Sequence, residues 1–403
     1  MLRVAHLVTH PIQYYAPLYQ EINRSQAFEL KVFFENDISV RPFTDIGFGT
    51  TISWGRDLLA GYDHQFLRTW FPRGTKTFLL PMNTGLWSAL KQGRYDVLWI
   101  HGYNRLVHLV AVLQARALGI PVALRGDSNQ YAPKRPWARD TARAGFLRGL
   151  HATCQGFLAV GEANRAHYLA HGAPPERIFL APFSVDHAHL EEVIRSHPEE
   201  TESIRRQLEL DPGRPILLFV GRFAPEKGLE DLILAYRRLL QELPPALHPH
   251  LLLVGDGPLR SWLEADLAED PLPLVRLTGF KNQMELPHYY AIADLLVLPS
   301  RFEAWGLVVN EAMALGRPVL VSNSVGATHD LVLPGQTGWT FTAGDVEALA
   351  ALLGSAMQDR ERLSEMGRAA KEWIQAYSPS ATVRGLTAAF QTMAQQSCPD
   401  SQI

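Results

Sequence analysis

Short apolar runs alternate with longer amphipathic stretches along the whole chain. These runs lack a strict two-residue alternation, which is typical of parallel strands that are buried on both faces. Repetition of strand and helix in both halves predicts an α/β chain with two doubly wound, Rossmann-like domains. The predicted strands cover residues 2–8, 30–34, 97–100, 122–124 and 157–160 in the first half, and 216–220, 250–254, 275–277, 295–298 and 319–321 in the second.

We place the domain boundary near residue 187. Residues 188–210 are charged and helical in pattern, and a turn at Asp211-Pro212-Gly213 follows them. A chain of 403 residues is too long for one ordinary domain and suits two. The predicted domains are therefore residues 1–187 and 188–377, followed by a helix over 378–395 and a polar tail over 396–403.

The net charge of −3 argues against a nucleic-acid-binding protein, but the two parts of the chain differ in charge. Residues 1–190 contain 20 Lys and Arg against 13 Asp and Glu, a balance of +7, and the remainder has a balance of −10. A negatively charged partner of the first half and ordinary solvation of two surfaces both account for this asymmetry.

The two cysteines, Cys154 and Cys398, lie far apart in the sequence. They form neither a disulfide framework nor a zinc-binding pattern, and they suit a reducing compartment. The first residues begin as a strand rather than a signal peptide, and no apolar run is long enough to cross a membrane. We predict a cytoplasmic protein, either free or peripheral at the inner face of the membrane.

Two carboxylates, Glu303 and Glu311, flank Gly306 between two apolar runs. A strand that turns into a helix exposes backbone N–H groups at the helix N-terminus, and these groups favour an anion. Ionised glutamates only accept hydrogen bonds and therefore suit hydroxyl groups. Phosphate and hydroxyl recognition in one place predicts a nucleotide sugar, with Trp305, Gly306 and Leu307 at the turn.

The segment that contains these glutamates resembles the paired-glutamate signature of retaining glycosyltransferases, most closely family 4. The resemblance implies a GT-B fold, in which two Rossmann-like domains face a cleft, and transfer from a nucleoside diphosphate sugar with retention. It places the acceptor at residues 1–187 and the nucleotide sugar at residues 188–377, and it implies that the helix over 378–395 crosses back to the first domain. It also implies that Glu303 contacts the donor sugar, that Glu311 contacts the nucleotide ribose, and that the turn at Gly306 contacts the diphosphate.

Two cations follow the predicted strand at 216–220. Arg222 and Lys227 lie where α/β sheets bind ligands, and a diphosphate leaving group needs positive charge as its bond breaks. The family uses this Arg and this Lys for that purpose, so we assign both as catalytic together with Glu303. An exposed cationic turn is the alternative interpretation.

No Asp-x-Asp motif occurs in the chain, so we predict no metal site and no cofactor besides the nucleotide-sugar co-substrate. A later segment, Leu277-Thr278-Gly279-Phe280-Lys281, resembles the family loop that holds the nucleotide base through its backbone. The candidate base-binding residues are therefore Gly279 and Phe280.

The resemblance is weaker in the first half. Most family members carry a glycine pair after the first strand, where this chain has His10-Pro11-Ile12-Gln13. His10 and Gln13 could contact the sugar or the acceptor, although a His beside a Pro is also an ordinary turn. His101 and Asn104 close another predicted strand and should face the same cleft.

A third strand end in this half contains Arg125, a candidate substrate-binding residue, and Asp127, a candidate catalytic residue. Many family members have a histidine next to the reacting sugar where this chain has Asp127. A carboxylate there could support positive charge on the sugar or hold an acceptor hydroxyl. It could equally cap the N-terminus of a following helix.

The segment 134–148 supplies much of the positive surplus and also contains Trp137 and Phe146. Such a segment could lie on an anionic membrane or bind a phosphorylated lipid acceptor. It could also be a solvated helix face. The acceptor itself is predicted only as a glycan, a lipid-linked molecule or a small molecule.

Two other functions fit the same fold. A sugar-nucleotide 2-epimerase would need acid and base carboxylates in the cleft and no acceptor. A non-catalytic nucleotide-sugar-binding protein is disfavoured because Arg222, Lys227, Glu303 and Glu311 are all present.

Overall fold

The computed structural model describes residues 1–45, 50–69, 77–79, 83–132 and 136–397. Within these residues the chain forms 17 strands: β1 Arg3–Val8, β2 Glu29–Phe34, β3 Phe43–Asp45, β4 Thr50–Ile52, β5 Asp63–Phe66, β6 Arg68–Thr69, β7 Asn83–Thr84, β8 Val97–His101, β9 Val122–Arg125, β10 Gly156–Ala159, β11 Ile178–Leu180, β12 Ile216–Val220, β13 His250–Val254, β14 Val275–Gly279, β15 Leu295–Leu298, β16 Val319–Ser322 and β17 Gly338–Phe341.

The same residues form 15 α-helices: α1 Tyr15–Ser25, α2 Leu86–Gly93, α3 Leu106–Ala117, α4 Trp137–His151, α5 Glu162–Ala170, α6 His187–Ser196, α7 Pro198–Gln207, α8 Leu229–Glu242, α9 Arg260–Glu269, α10 Leu286–Ile292, α11 Leu307–Ala314, α12 Thr328–Leu331, α13 Val346–Gln358, α14 Arg360–Trp373 and α15 Pro379–Ser397.

The chain divides into two compact units. Unit 1 comprises Met1–Arg41, Arg56–Ser184 and Tyr377–Ile403, and unit 2 comprises Pro42–Gly55 and Val185–Ala376. The observed boundaries follow Ser184 and Ala376, whereas the predicted boundaries followed residues 187 and 377. The predicted first domain was wrong in one respect, because Pro42–Gly55 packs with unit 2 through contacts to residues 280–284.

Unit 1 is built on a seven-stranded sheet with the order β11-β10-β9-β8-β1-β2-β5, in which every neighbouring pair is parallel. Helices α2 to α5 cover one face with buried apolar side chains. On the other face, Phe390 of α15 contacts Trp99 of β8 and Phe28, with ring centroids 6.1 and 5.1 Å away. The last helix is therefore an integral part of unit 1.

Unit 2 contains a six-stranded parallel sheet with the order β14-β13-β12-β15-β16-β17. Its first strand, β12, lies between β13 and β15, so the winding direction reverses between β12 and β15. In such sheets, ligands bind outside the carboxyl ends of the strands at this reversal. The two sheets confirm the predicted α/β class with two doubly wound, Rossmann-like domains.

Three strands of these sheets were not predicted from the sequence: β5, β11 and β17. All three lie at sheet edges. Their side chains are partly exposed, and β5 reads Asp-His-Gln-Phe, so none of them has the continuous apolar run of an interior strand.

No helix among the described residues is long and apolar enough to cross a membrane. Cys154 is buried in unit 1, and Cys398 lies outside the described residues.

Candidate active site

The loops after β12 and β15 lie side by side in unit 2. The two strands are parallel neighbours, with Leu217 opposite Leu295, so their carboxyl ends share one edge of the sheet. The first loop contains Arg222 and Lys227, and the second contains Glu303. The structure thus brings the three predicted catalytic residues of this half to the reversal point of the sheet.

An ion pair joins the two loops, because the Lys227 ammonium contacts the Glu303 carboxylate. Only 18% of the Lys227 side chain and 20% of the Glu303 side chain are exposed. Glu303 is also fixed through its backbone, since its N–H donates to Ser324 O at 3.3 Å and its carbonyl accepts from the Gly326 N–H at 3.1 Å. The carboxylate and the cation are therefore held in place before any ligand arrives.

Arg222 forms a second ion pair, with Glu226 of its own loop. Burial alone would raise the pKa of the Glu226 carboxyl, but a backbone N–H and the charges of Arg222 and Lys227 hold this pKa below its usual value. Glu226 was not identified from the sequence, although its spacing of four residues from Arg222 was a visible signal.

A third ion pair fastens the β15 loop to α8. The Arg301 guanidinium donates two hydrogen bonds to the buried Asp231 carboxylate, at 2.9 and 2.7 Å, and the Arg301 N–H donates to Glu226 O at 2.8 Å. This pair was not predicted, because its partners lie 70 positions apart and no local sequence pattern connects them. Such bidentate geometry fixes the loop's position and orientation.

Gly306 forms the sharp turn between the β15 loop and α11. Its φ of +101° lies in the region that favours glycine, and a Cβ there would stand 2.9 Å from Val325 Cγ1. Helix α11 has no side-chain cap, so its first N–H groups are directed at the turn. Gly306 and Leu307 therefore present the predicted helix N-terminus.

Trp305 lies at this turn with its side chain buried, and its contact with the donor stays a prediction. Only 4% of the residue is exposed, and its indole N–H donates to Asn310 Oδ1 at 2.9 Å. The indole instead buttresses the first turns of α11 from the interior of unit 2.

Glu311 lies on α11 and is only 3% exposed. The Tyr290 hydroxyl, itself buried, donates to Glu311 Oε2 at 2.7 Å. A hydrogen bond from a hydroxyl orients the carboxylate and compensates for its burial. Tyr290 lies on α10, and nothing near it in the sequence indicated this partner.

The predicted base-binding residues lie farther along the same sheet edge. Gly279 ends β14, and its carbonyl accepts a hydrogen bond of 2.9 Å from the Gly255 N–H of the neighbouring strand end. Phe280 follows directly. The strand order places β14 two strands from β12, so this loop lies at the outer end of the edge that carries the ion pairs.

Unit 1 has its own reversal point, between β1 and β8. A cavity of about 430 Å³ opens there. His101, Asn104 and Asp127 are the predicted residues that line it, together with Thr9, Ile12, Gly102, Tyr103, Gly126, Ser128 and Arg143. His10 and Gln13 lie in the adjoining loop after β1 but do not line this cavity, and His10 instead forms a 2.8 Å hydrogen bond with the Thr9 hydroxyl.

His101 is held at the cavity by Tyr15, whose hydroxyl lies 2.9 Å from His101 Nδ1. Burial lowers the pKa of His101 to about 3, assisted by the positive charge of Arg125. Burial raises the pKa of Tyr15 to about 12. Both groups are therefore neutral near pH 7, and the pair can donate or accept hydrogen bonds without carrying charge.

Asp127 is not a helix N-cap, so that alternative is wrong. The next helix, α4, begins at Trp137, and Asp127 lies in an irregular loop after β9. Its side chain reaches solvent through the cavity but is surrounded by protein. Loss of bulk water raises the pKa of the Asp127 carboxyl, while its own backbone N–H and Arg125 oppose that rise.

Arg125 has no exposed surface, and its contact with substrate stays a prediction. Its guanidinium lies 5.0 Å from the ring centroid of Phe183 and 5.7 Å from that of Tyr15, and one nitrogen donates to Pro182 O at 3.4 Å. Arg125 acts on the cavity through its charge, by lowering the pKa values of His101 and Asp127.

The basic segment is helical from Trp137 onward, and Lys134 and Arg135 lie outside the described residues. Trp137 is 81% exposed and Phe146 is 44% exposed. Arg143 donates to the Tyr103 hydroxyl at 3.1 Å, so one basic residue of the helix belongs to the cavity.

Within the part of the chain that the structure describes, no group of three or more His, Cys, Asp or Glu side chains could hold a metal ion.

Comparison with protein families gives a match in each half of the chain. Residues 53–183 match a "Glycosyl transferase 4-like domain", and residues 200–373 match "Glycosyl transferases group 1". The second match contains all of the unit 2 residues described above, and the first contains Asp127 and His101.

Three similar proteins carry the names of sugar transferases. The chain is 35% identical to a sulfoquinovosyl transferase of Arabidopsis thaliana, 34% to a D-inositol 3-phosphate glycosyltransferase of Nocardia farcinica and 30% to an alpha-D-kanosaminyltransferase of Streptomyces kanamyceticus. These matches cover 41%, 55% and 63% of this chain. They span only 31%, 48% and 66% of the relatives' own lengths.

Solved structures share the fold over nearly the whole chain. HepE of Anabaena in complex with UDP and glucose aligns with a TM-score of 0.69 at 16% identity, covering 97% of this chain and all of that one. WaaG, a glycosyltransferase involved in lipopolysaccharide biosynthesis, aligns with a TM-score of 0.59 at 16% identity, covering 98% of this chain and 100% of that one. Together these similarities assign the GT-B fold.

We predict that Gly306→Ala will destabilise the chain by about 1–3 kcal/mol, because alanine disfavours positive φ and its Cβ would overlap Val325. Urea denaturation measures this change. Gly145→Ala is the matched control: a Cβ there meets nothing within 4 Å in α4, so alanine should stabilise the helix by about 0.5–1 kcal/mol. Equal stability of Gly306→Ala and the unmodified chain would contradict the turn geometry.

Proposed function

From the GT-B fold of this chain, we propose that it transfers a sugar from a nucleoside diphosphate sugar to an acceptor. The first half matches a glycosyl transferase 4-like domain, and the second half matches glycosyl transferases group 1. The proposed reaction retains the anomeric configuration and needs no metal ion. The cluster of Lys227, Glu303 and Arg222 at the reversal point of the unit 2 sheet carries this proposal.

The donor diphosphate fits the loops after β12 and β15. Negative charge grows on the leaving phosphate as the glycosidic bond breaks, and fixed positive charge aimed at that point stabilises the transition state. Arg222, Lys227 and the uncapped N-terminus of α11 supply such charge. Each side-chain cation already has a glutamate partner, which keeps it in place while the site is empty of donor.

The donor hydroxyls fit the two predicted glutamates. Glu303 is fixed by Lys227 and by two backbone hydrogen bonds, and its oxygens can accept from hydroxyls of the sugar. Glu311 accepts from Tyr290 through one oxygen and is assigned to the ribose. HepE, which shares the fold, was crystallised with UDP and with UDP-glucose, and this supports a nucleotide-sugar donor.

In a retaining reaction of this kind, the bond between the anomeric carbon and the phosphate oxygen breaks, and the acceptor oxygen bonds to the same face of that carbon. The acceptor's hydroxyl proton passes to the departing phosphate oxygen, so atoms and charge balance. We assign the acceptor to the unit 1 cavity. There Asp127 would support positive charge on the sugar or hold the acceptor hydroxyl, and neutral His101 would donate or accept a hydrogen bond.

Transfer is favoured over 2-epimerisation by the same cavity. An epimerase returns its own sugar nucleotide and needs no acceptor, whereas a polar cavity of about 430 Å³ in unit 1 has room for one. Formation of a changed sugar nucleotide, with no acceptor added, would support the epimerase instead.

Exposed side chains of α4 extend the proposal to a membrane-associated, lipid-linked acceptor. Trp137 and Phe146 are exposed aromatic residues, and Arg139 and Arg148 on the same helix are exposed cations. Aromatic and basic side chains together favour the interface of an anionic membrane. Soluble glycans and small molecules are the alternative acceptors, and the vesicle experiment below tests the membrane contact that a lipid-linked acceptor requires.

We predict that Arg222→Ala and Lys227→Ala will each lower turnover by about 10²–10³-fold, the scale for removing one preorganised charge-stabilising group. Release of nucleoside diphosphate from a panel of UDP-, GDP- and ADP-sugars measures turnover. Arg238→Ala is the control, because Arg238 forms exposed ion pairs on α8. Unchanged turnover in both folded variants would show that the donor diphosphate does not bind at these loops.

Asp127→Asn should lower turnover by about tenfold or more, since asparagine cannot carry negative charge. If the ionised carboxylate is required, the rate falls as the pH falls through its pKa, which partial desolvation by the surrounding protein raises above the usual value for Asp. This acid limb should therefore appear at a higher pH than for an ordinary aspartate, and it should vanish in Asp127→Asn. Asp140→Asn, at an exposed position of α4, serves as the control. A wild-type dependence of rate on pH in Asp127→Asn would exclude a role of the Asp127 carboxylate in the reaction.

Binding to phospholipid vesicles tests the membrane contact. The chain should sediment with anionic vesicles and much less with neutral phosphatidylcholine vesicles, and added salt should weaken the binding. Replacing both Trp137 and Phe146 by alanine should reduce it several-fold, whereas Trp262→Ala in unit 2 should not. If the chain does not sediment with anionic vesicles, the membrane contact is excluded and a soluble acceptor is favoured.

A further inference from the structure

Residues 42–55 come from the first half of the chain but belong to unit 2. Their two strands, β3 and β4, pair antiparallel with Phe43 opposite Ile52, and Ile52 is buried. The chain leaves unit 1 after Arg41 and returns to it at Arg56. A short excursion of this kind adds side chains to unit 2 that its own sequence segment does not supply.

The end of this excursion lies against the loop that follows β14. The Trp54 ring stands edge-on to the Phe280 ring, with centroids 6.3 Å apart and planes at 69°. At Gly55, where φ is +72°, a Cβ would lie 3.1 Å from Met284 Cγ and 3.5 Å from Asn282 Oδ1. The excursion therefore contacts residues 280–284, the loop that holds the candidate base-binding residue Phe280.

Two enclosed polar atoms in this patch have no hydrogen-bond partner among the described residues: the indole nitrogen of Trp54 and the side-chain oxygen of Gln283. A buried donor or acceptor without a partner is costly, so such atoms commonly mark a place for a ligand or water. Asn282 of the same loop, in contrast, is hydrogen-bonded. Asn282 Oδ1 accepts from the Met284 N–H at 2.8 Å and the Glu285 N–H at 3.2 Å.

The combination of one donor, one acceptor and an aromatic ring matches the chemistry of a nucleobase. Bases present a flat π-face, and their edges carry acceptor oxygens or ring nitrogens beside N–H donors. Trp54 can only donate, whereas the Gln283 carboxamide can accept through its oxygen. The same loop lies on the edge of the sheet to which the diphosphate is assigned.

We propose that Trp54 and Gln283, together with Phe280, bind the base of the donor nucleotide. The indole N–H of Trp54 donates to an acceptor atom of the base, and the Gln283 carboxamide pairs with a neighbouring base N–H. Residues of the first half thus complete the donor site of unit 2. The inference rests on the proposed function, since it takes a nucleoside diphosphate sugar as the ligand.

Calorimetric titration of the full chain with UDP, GDP, ADP and pyrophosphate tests this site. Pyrophosphate contains no base and reports on the diphosphate loops alone. Trp54→Phe keeps an aromatic ring but removes the N–H, and Gln283→Met keeps the length but removes the carboxamide. Each variant should weaken binding of the preferred nucleoside diphosphate by about three- to tenfold, the scale of one lost hydrogen bond, and leave pyrophosphate binding and the melting temperature unchanged.

Trp87→Phe is the matched control, because Trp87 is an exposed tryptophan of α2 in unit 1, and it should bind as the unmodified chain does. If Trp54→Phe lowers the melting temperature, Gln283→Met decides the question. Unchanged nucleotide affinity in Gln283→Met and in a folded Trp54→Phe overturns the base site while the donor proposal stands. Equal losses for nucleotide and pyrophosphate also overturn it. If the unmodified chain binds none of the nucleotides, the proposed function fails as well.

Discussion

The ion pair between Lys227 and Glu303 joins the loops at the ends of two neighbouring strands, and the geometry of the candidate active site depends on it. Because β12 and β15 are parallel neighbours at the reversal of the sheet, their loops must approach each other. The pair is largely enclosed, so removing one partner would leave the other charge poorly solvated. Arg301 and Asp231 then fix the same loop to α8.

Charge is arranged differently at the two reversal points. In unit 2, Arg222 and Lys227 each have a carboxylate partner, so the positive and negative charges of the site nearly cancel before a ligand binds. In unit 1 the buried Arg125 lies beneath the cavity, surrounded by aromatic rings, and its charge favours neutral His101 and opposes the rise in the pKa of Asp127. Diphosphate stabilisation suits the first arrangement, and hydroxyl recognition suits the second.

Much of the fold was predictable because interior parallel strands are continuous apolar runs, as β12 and β13 show. The edge strand β5 was not, since partial exposure removes that signal. Motif spacing located Lys227 and Glu303, whereas Tyr290 escaped prediction because tertiary packing alone brings it to Glu311. Arg125 was predicted to bind substrate because it lies at a strand end. Its complete burial was not predictable, since the side chains around it come from distant segments.

Titration of the full chain and of Glu311→Gln with UDP, GDP and ADP tests whether unit 2 binds the donor nucleotide. We expect at least one nucleotide to bind the unmodified chain and to raise its melting temperature. Glu311→Gln should weaken that binding, because an amide accepts hydrogen bonds from ribose hydroxyls less strongly than a carboxylate does. Failure of all three nucleotides to bind, or equal affinity in Glu311→Gln, would contradict the assignment of the donor to unit 2.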